Sequence, residues 1–455
     1  MTAPGSGGGL LPKGPRRKRD APPPEYSVML TATLCLVAFG AVMVFSATSV
    51  KAVLPEGGGD SAEYLKRVAI FSILGLVAMR VFASWGLRIA RSATPAFLVL
   101  ALLMLMAVLL PGVGQTVNGS QRWLGAGVVQ FQPSEFAKLA VILYGTHLLA
   151  TEPKRVRSLQ GLGPFLIVCA VFLLLIVLQP DLGTASTIII SSACLLLLAG
   201  TKPKTLAPVA AALAVGLIAL VASHPYQQAR LTSFLDGGAD QAGAGYQGFQ
   251  AEIAVGSGGI LGVGLGESVQ KASYLPEAHT DMIAAVIGEE SGFAGMVVLI
   301  VLFGMFGWAG FKAAHRATDR YSKLLAASLT SLILAQAGVN LFAVMGLAPL
   351  TGIPLPFVSY GGTSLVVMLA AVGLLLNVAK GPVAARAVEP VGGTSSATSR
   401  VPKRRPRAGG AARLEVIQGG SDAPRTPRRR STPDRDRSRR HGGPRGSRRG
   451  GRRRA

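Results

Sequence analysis

Residues 282–308 read MIAAVIGEESGFAGMVVLIVLFGMFGW, and they decide the class of the fold. The run is 27 residues long, and its charged positions are the adjacent Glu289 and Glu290. As a single helix it would extend roughly 40 Å, more than the hydrocarbon core of a bilayer. A soluble core is not built from runs of that length. The chain as a whole is 50% apolar and 15% charged, yet carries a formal net charge of +24, so apolar and charged residues must be segregated along it. That segregation is expected of a membrane protein and excludes an ordinary soluble globule.

Working outward from this run, breakers delimit ten apolar spans: Val28–Ala47, Val68–Phe82, Ala96–Leu110, Ser134–Leu149, Phe165–Leu178, Leu182–Leu198, Leu206–Val221, Met282–Trp308, Leu324–Met345 and Ser364–Val378. The fold class predicted is all-α, a polytopic membrane protein of about ten transmembrane helices with its largest extracytoplasmic loop, Ala222–Asp281, between the seventh and eighth. The first span follows Lys13, Arg16, Arg17, Lys18 and Arg19 with no small-residue cleavage site after it, so it reads as a spanning helix and not a removed signal. Cys35, Cys169 and Cys194 all lie inside apolar runs, where a thiol behaves as a small hydrophobe; no disulfide or metal cluster is expected.

Lysines and arginines set the orientation, because cytoplasmic loops retain positive charge. With the N-terminus inside, the inner loops carry Arg88 and Arg91, then Lys154, Arg155 and Arg157, then Lys202 and Lys204, then Lys312, Arg316, Arg320 and Lys323. The outer loops hold mainly Lys51, Lys66, Arg67, Arg122, Arg230 and Lys271. Three segments follow: a basic, disordered N-terminal tail (1–27), a membrane domain (28–380) and a basic C-terminal tail (381–455), both tails cytoplasmic. From Arg386 onward 21 Lys or Arg face 5 Asp or Glu, and large apolar residues are scarce. Such a segment cannot offset its chain entropy and is expected to be disordered. Anionic lipids are its expected contact, an acidic protein partner a sharper reading; nucleic acid is not expected, since no folded reader accompanies the charge.

The polar stretches Pro111–Pro133 and Ala222–Asp281 are where outward-facing chemistry can occur. Gly256-Ser257-Gly258-Gly259 and Gly262-Val263-Gly264-Leu265-Gly266 match neither phosphate-binding glycine spacing and read as a close-packed re-entrant segment. Asp281 stands at the head of the long run and has two readings from the residues alone. An acid there can complement a helix N-terminus, or it can accept a proton from a substrate hydroxyl. Glu135 and Lys138, three apart, share a helix face and can neutralise each other or face a polar cavity. Asp181 in Gln179-Pro180-Asp181-Leu182-Gly183-Thr184 reads as a helix cap. The five histidines are scattered, with no zinc spacing.

Five blocks in order resemble the signatures of the SEDS family of FtsW and RodA: Asn118-Gly119-Ser120-Gln121-Arg122-Trp123, Gln132-Pro133-Ser134-Glu135-Phe136-Ala137-Lys138, Gln179 to Thr184, Tyr274-Leu275-Pro276-Glu277-Ala278-His279-Thr280-Asp281, and Gly352-Ile353-Pro354-Leu355-Pro356-Phe357-Val358-Ser359-Tyr360-Gly361-Gly362. The Tyr274–Asp281 block, with Arg230-Leu231-Thr232-Ser233-Phe234-Leu235-Asp236, is more similar to the FtsW division branch, and the basic tail resembles those of actinobacterial members. The resemblance implies a peptidoglycan glycosyltransferase that joins lipid II into glycan strands with loss of undecaprenyl pyrophosphate, beside a class B penicillin-binding protein and other division proteins. It makes Asp281 the catalytic residue, and Glu135, Lys138, Arg122, Arg230, Lys271, Glu277 and His279 substrate-binding. It brings no certain cofactor; Mg or Mn would suit a pyrophosphate, although no ligand set is visible. Met282 stands where Phe usually follows the aspartate, and Leu350-Thr351 where Thr-Lys is frequent, which leaves Arg122, Arg230 or Lys271 to compensate for the lysine or makes it dispensable. Two rival readings are a lipid II flippase, which intramembrane Glu135, Lys138, Glu289 and Glu290 would also suit, and a non-catalytic division scaffold.

Overall fold

The computed structural model describes residues 22–49, 61–117, 120–126, 129–223, 225–235, 243 and 245–381. The basic stretches at 1–21 and 382–455 lie outside the described residues, as do Asn118 and Gly119. Each of the ten apolar runs is a helix: α1 (Pro24–Ser49), α2 (Ser61–Ser84), α3 (Leu87–Leu109), α4 (Pro133–Thr151), α5 (Leu159–Leu178), α6 (Leu182–Leu198), α7 (Pro203–Ser223), and, after the shorter α8 (Pro225–Leu235), α9 (Tyr246–Ser257) and α10 (Gln270–Ser273), α11 (Ile283–Arg316), α12 (Arg320–Val344) and α13 (Gly362–Lys380). Among the described residues eight of these are long and apolar enough to cross a membrane unaided; α4, which carries Glu135 and Lys138, and α6, at 17 residues, complete the bundle. The chain is an integral membrane protein.

The bundle is built around α12 and α13, whose apolar windows are 78% and 83% buried. α13 packs on α2, α1 on α11, and α12 on α4, α6 and α11. By contrast α7 has no buried residue, so lipid and not protein must cover its apolar surface. At one end of the bundle, arginines close helix termini: Arg320 donates to the carbonyls of Leu149 (3.3 Å) and Ala199 (3.1 Å), at the ends of α4 and α6. There Arg316 pairs with buried Glu25 at 2.6 Å, and Arg91 donates to Thr151 at 2.9 Å. These are residues from the loops expected inside.

Three features depart from the plain helical reading. The strands β1 (Gln115–Val117), β2 (Ser120–Ala126) and β3 (Val129–Phe131) form a small antiparallel meander in the order β1-β2-β3. It is fastened below by Gln121 Nε2, which donates to the carbonyls of Leu110 and Gly114.

Next, α11 is not the single straight helix expected. It breaks at Gly292, whose φ of 62° and ψ of −160° are open to glycine alone. The glycine-rich segment fills the break: Val263 and Gly264 N–H donate to the carbonyls of Glu289 (3.0 Å) and Glu290 (3.1 Å), while Phe293 and Ala294 N–H donate to Gly259 (2.9 Å) and Ile260 (3.0 Å). Non-helical backbone is tolerated at membrane depth only when protein satisfies it. The close-packed segment expected from the glycines is therefore the part that replaces the missing ladder of α11.

Finally, the segment after α12 turns back into the bundle. Ile353, Leu355, Phe357 and Val358 are buried, Phe357 in the left-handed region at φ 67°. A side chain at Gly40 of α1 would come within 2.6 Å of Val358 Cα, so α1 and this segment touch backbone to backbone.

Candidate active site

Asp281 ends the Tyr274–Asp281 turn and stands just before α11. Glu277, at φ 54°, closes that turn by accepting from Thr280 N–H at 3.0 Å. The Asp281 main-chain carbonyl accepts from Asn340 Nδ2 at 2.7 Å, and the same amide nitrogen donates to Ile353 O at 2.8 Å. One α12 side chain thus fastens the Asp281 turn to the buried 353–358 segment. The carboxylate itself is half-buried, accepts from Thr280 Oγ1 at 3.2 Å and lies over Gly352, where an added Cβ would stand 3.7 Å from Oδ2. Burial, reinforced by the negative charge of Glu277, pushes the Asp281 carboxyl up to about 6, against the opposing pull of Arg230. A base poised there is ionised at neutral pH and still basic enough to take a proton.

Around it stand three of the other expected residues. Arg230, on α8, donates Nη1 to the carbonyl of Leu350 at 3.2 Å, and its charge is felt by Asp281. Glu277 is exposed and accepts from Thr280 Oγ1 at 2.9 Å. His279 is buried with its ring 5.4 Å from Tyr64 and 5.5 Å from Tyr360, and its carbonyl accepts from Tyr360 N–H at 2.9 Å. The motif block after α12 and the block before α11 are therefore joined directly.

Glu135 and Lys138 do share a face of α4, with Nζ to Oε1 at 2.7 Å, both buried. Lys138 also donates to Gln336 Oε1 at 2.6 Å, and Ser364 Oγ donates to Glu135 Oε2 at 2.8 Å. Gln336 Nε2 donates onward to Pro354 O at 2.9 Å. Gln336 and Asn340 are four apart on α12, so one helix face carries the connection from the buried pair, through the backbone of 353–354, to Asp281. Sequence reasoning passed over both; a Gln and an Asn one turn apart in an apolar run were the available signal.

Two expected substrate contacts are engaged elsewhere. Arg122, on β2, grips the turn between α5 and α6: Nε donates to Gln179 O at 3.0 Å, Nη2 to Pro180 O, and Nη1 stands 4.0 Å from Asp181. Asp181 caps α6 as its sequence suggested, accepting from Thr184 N–H at 3.1 Å, and also from Ser134 Oγ at 3.0 Å at the start of α4. Lys271 is buried against Glu290, 2.5 Å away, and donates to Ser46 Oγ of α1 at 3.1 Å. Of the three cations that could replace the absent lysine, Arg230 is the one whose charge reaches Asp281.

The metal option finds no cage: among the described residues no three His, Cys, Asp or Glu side chains converge as ligands. The carboxylates of Asp281 and Glu277 are at most a pair, which is no closed cage but is the number that commonly holds Mg beside substrate phosphates.

A family model described as "Cell cycle protein", for FtsW, RodA and SpoVE, matches residues 26–382. The chain is 38% identical to stage V sporulation protein E of Bacillus subtilis (strain 168) over 354 residues, 78% of this chain and 96% of that protein. It is also 38% identical to a probable peptidoglycan glycosyltransferase FtsW of Trichlorobacter lovleyi, covering 78% of this chain and 94% of the relative. Among solved structures it resembles a chain from a peptidoglycan synthase complex that coordinates polymerization and crosslinking, at a TM-score of 0.65 and 28% identity over 77% of this chain and 96% of that one.

Proposed function

Because this chain belongs to the cell cycle protein family of FtsW, RodA and SpoVE, we propose that it is a peptidoglycan glycosyltransferase that polymerises lipid II at the division septum, with Asp281 as its general base. The observation that carries this reading is the Asp281 carboxylate: half-buried, titrating at about 6, held through Asn340, with Arg230 beside it. The acceptor's sugar hydroxyl attacks the anomeric carbon of the donor. Its proton passes to Asp281, the new glycosidic bond forms, and the electron pair of the breaking bond leaves with undecaprenyl pyrophosphate. General-base assistance of this kind contributes about 10²–10⁴ in rate. Arg230 supplies positive charge next to the departing pyrophosphate. His279 and Glu277 flank the acceptor's approach, while the Glu135–Lys138 pair and Arg122 hold the segments around the site in register.

The N- and C-termini lie in the cytoplasm, the basic tails contact anionic lipid, and a class B penicillin-binding protein crosslinks the product. A flippase needs a continuous wet path. Lys138 with Glu135 and Lys271 with Glu290 are closed, dry pairs, which favours the enzyme. The deciding experiment is polymerisation of lipid II by the purified chain with its transpeptidase partner. The parental form should make glycan and Asp281→Asn almost none; equal rates would end the assignment.

A further inference from the structure

We propose that Glu289, Glu290 and Lys271 are positioning residues that staple the Asp281-bearing loop to the break in α11; the inference rests on Asp281 being the catalytic base. The loop is a ring. It leaves the core at Ser268, passes through Tyr274–Asp281 and enters α11, where Glu289 and Glu290 stand eight and nine residues beyond Asp281. Those two side chains reach back to the loop's own start. The Glu289 carboxylate accepts from Val269 N–H at 2.9 Å, from Gln270 N–H at 3.4 Å and from the Ser268 hydroxyl. Glu290 accepts from Lys271 Nζ at 2.5 Å and from Ser46 Oγ at 2.8 and 2.7 Å, which ties the ring to α1.

The main chain of the same two residues does a second job. Their carbonyls accept from Val263 and Gly264 in the helix break. Two consecutive residues therefore fix both the re-entrant glycine segment and the near end of the loop, while its far end is α11 itself. Any shift of segment 268–271 along α11 must break a charged hydrogen bond, and Asp281 follows ten residues later in the same loop.

A role in stability alone would not call for this chemistry. A buried ion pair contributes little over two apolar side chains of similar volume, because both charges are dehydrated. What it supplies is direction: charge-assisted bonds hold distance and angle more tightly than apolar packing does. A base displaced by about 1 Å can lose about 100-fold in rate.

The test pairs lipid II polymerisation with hydrogen exchange read by mass spectrometry on the full chain. In Glu290→Gln and Glu289→Gln the amides of 268–282 should exchange about tenfold faster, with kcat down about tenfold or more and KM within about twofold. The double variant Lys271→Met/Glu290→Met should melt near the parental temperature while kcat stays low, which a merely structural pair would not produce. Asp281→Asn should exchange as the parent does and make no polymer. Unchanged exchange of 268–282 in Glu290→Gln overturns the staple whatever the polymerisation result, and so does a double variant with parental kcat. Parental polymerisation by Asp281→Asn, with fast exchange in Glu290→Gln, would instead remove the catalytic reading and leave the staple standing.

Discussion

Asn340 Nδ2 lies 2.7 Å from the main-chain oxygen of Asp281 and 2.8 Å from that of Ile353, so one amide nitrogen of α12 joins the proposed base to the segment that faces it. Neither oxygen belongs to a helix ladder, and both would lose this partner if the amide were removed. Asn340→Leu should destabilise the chain by about 1–3 kcal/mol, the range for a buried polar group left unpaired. It should lower polymerisation by a larger factor than it lowers the amount of folded protein. Thermal melting in detergent beside a lipid II assay would check this; a fall in activity no greater than the fall in folded protein would contradict it.

The pH profile carries a sign. Asp281 acts ionised, and its carboxyl titrates at about 6, so kcat/KM should be level above neutrality and fall about tenfold per unit below that midpoint. Glu277 raises the midpoint and Arg230 lowers it. Glu277→Gln should therefore move the acidic limb to lower pH, and Arg230→Gln should move it to higher pH. An acidic limb that stays in place in both variants would show that neither charge bears on the base.

Lys138 and Glu135 should behave as a unit. Lys138→Met alone leaves a buried carboxylate without its cation and should cost about 3–5 kcal/mol, whereas Glu135→Met/Lys138→Met should recover most of it. Denaturation of the three forms in detergent gives the coupling directly, and additive losses would refute the dry-pair geometry.

Gly292→Ala meets two obstacles at once. Its backbone dihedrals belong to a region that a Cβ forbids, and the added carbon would strike the main chain of 260–262. Loss of about 2–3 kcal/mol or more is expected, visible as a lower melting temperature. Gly304→Ala, on the same helix with open space around it, is the control and should be near neutral.

Much of this was legible beforehand, and the divisions have physical causes. The spans are legible because each is an uninterrupted apolar run, and bilayer thickness leaves a helix as the one solution for it. The Glu135–Lys138 contact and the Asp181 cap are legible because both are local, three residues apart along one chain. The break of α11 is not: Gly292 is one of several glycines in that run, and what selects it is the insertion of residues 258–264, far away in sequence. The pairing of Lys271 with Glu290 is hidden for the same reason, since it is set by how the loop folds back. The meander escapes notice because β1 and β3 have three residues each, too few for alternation to register, and the seven of β2 run polar then apolar without alternating.

The two stretches of irregular backbone inside the bundle, 258–264 and 353–358, also constrain how the molecule is made. Neither can cross the hydrocarbon on its own, because its peptide groups would arrive in lipid without partners. The first needs the exposed carbonyls of α11, and the second needs the bare surface of α1 at Gly40. Biogenesis must therefore run in two acts. The long helices are threaded and gathered first, and the Asp281 neighbourhood is set afterwards, when these late pieces drop into a vestibule already walled by protein.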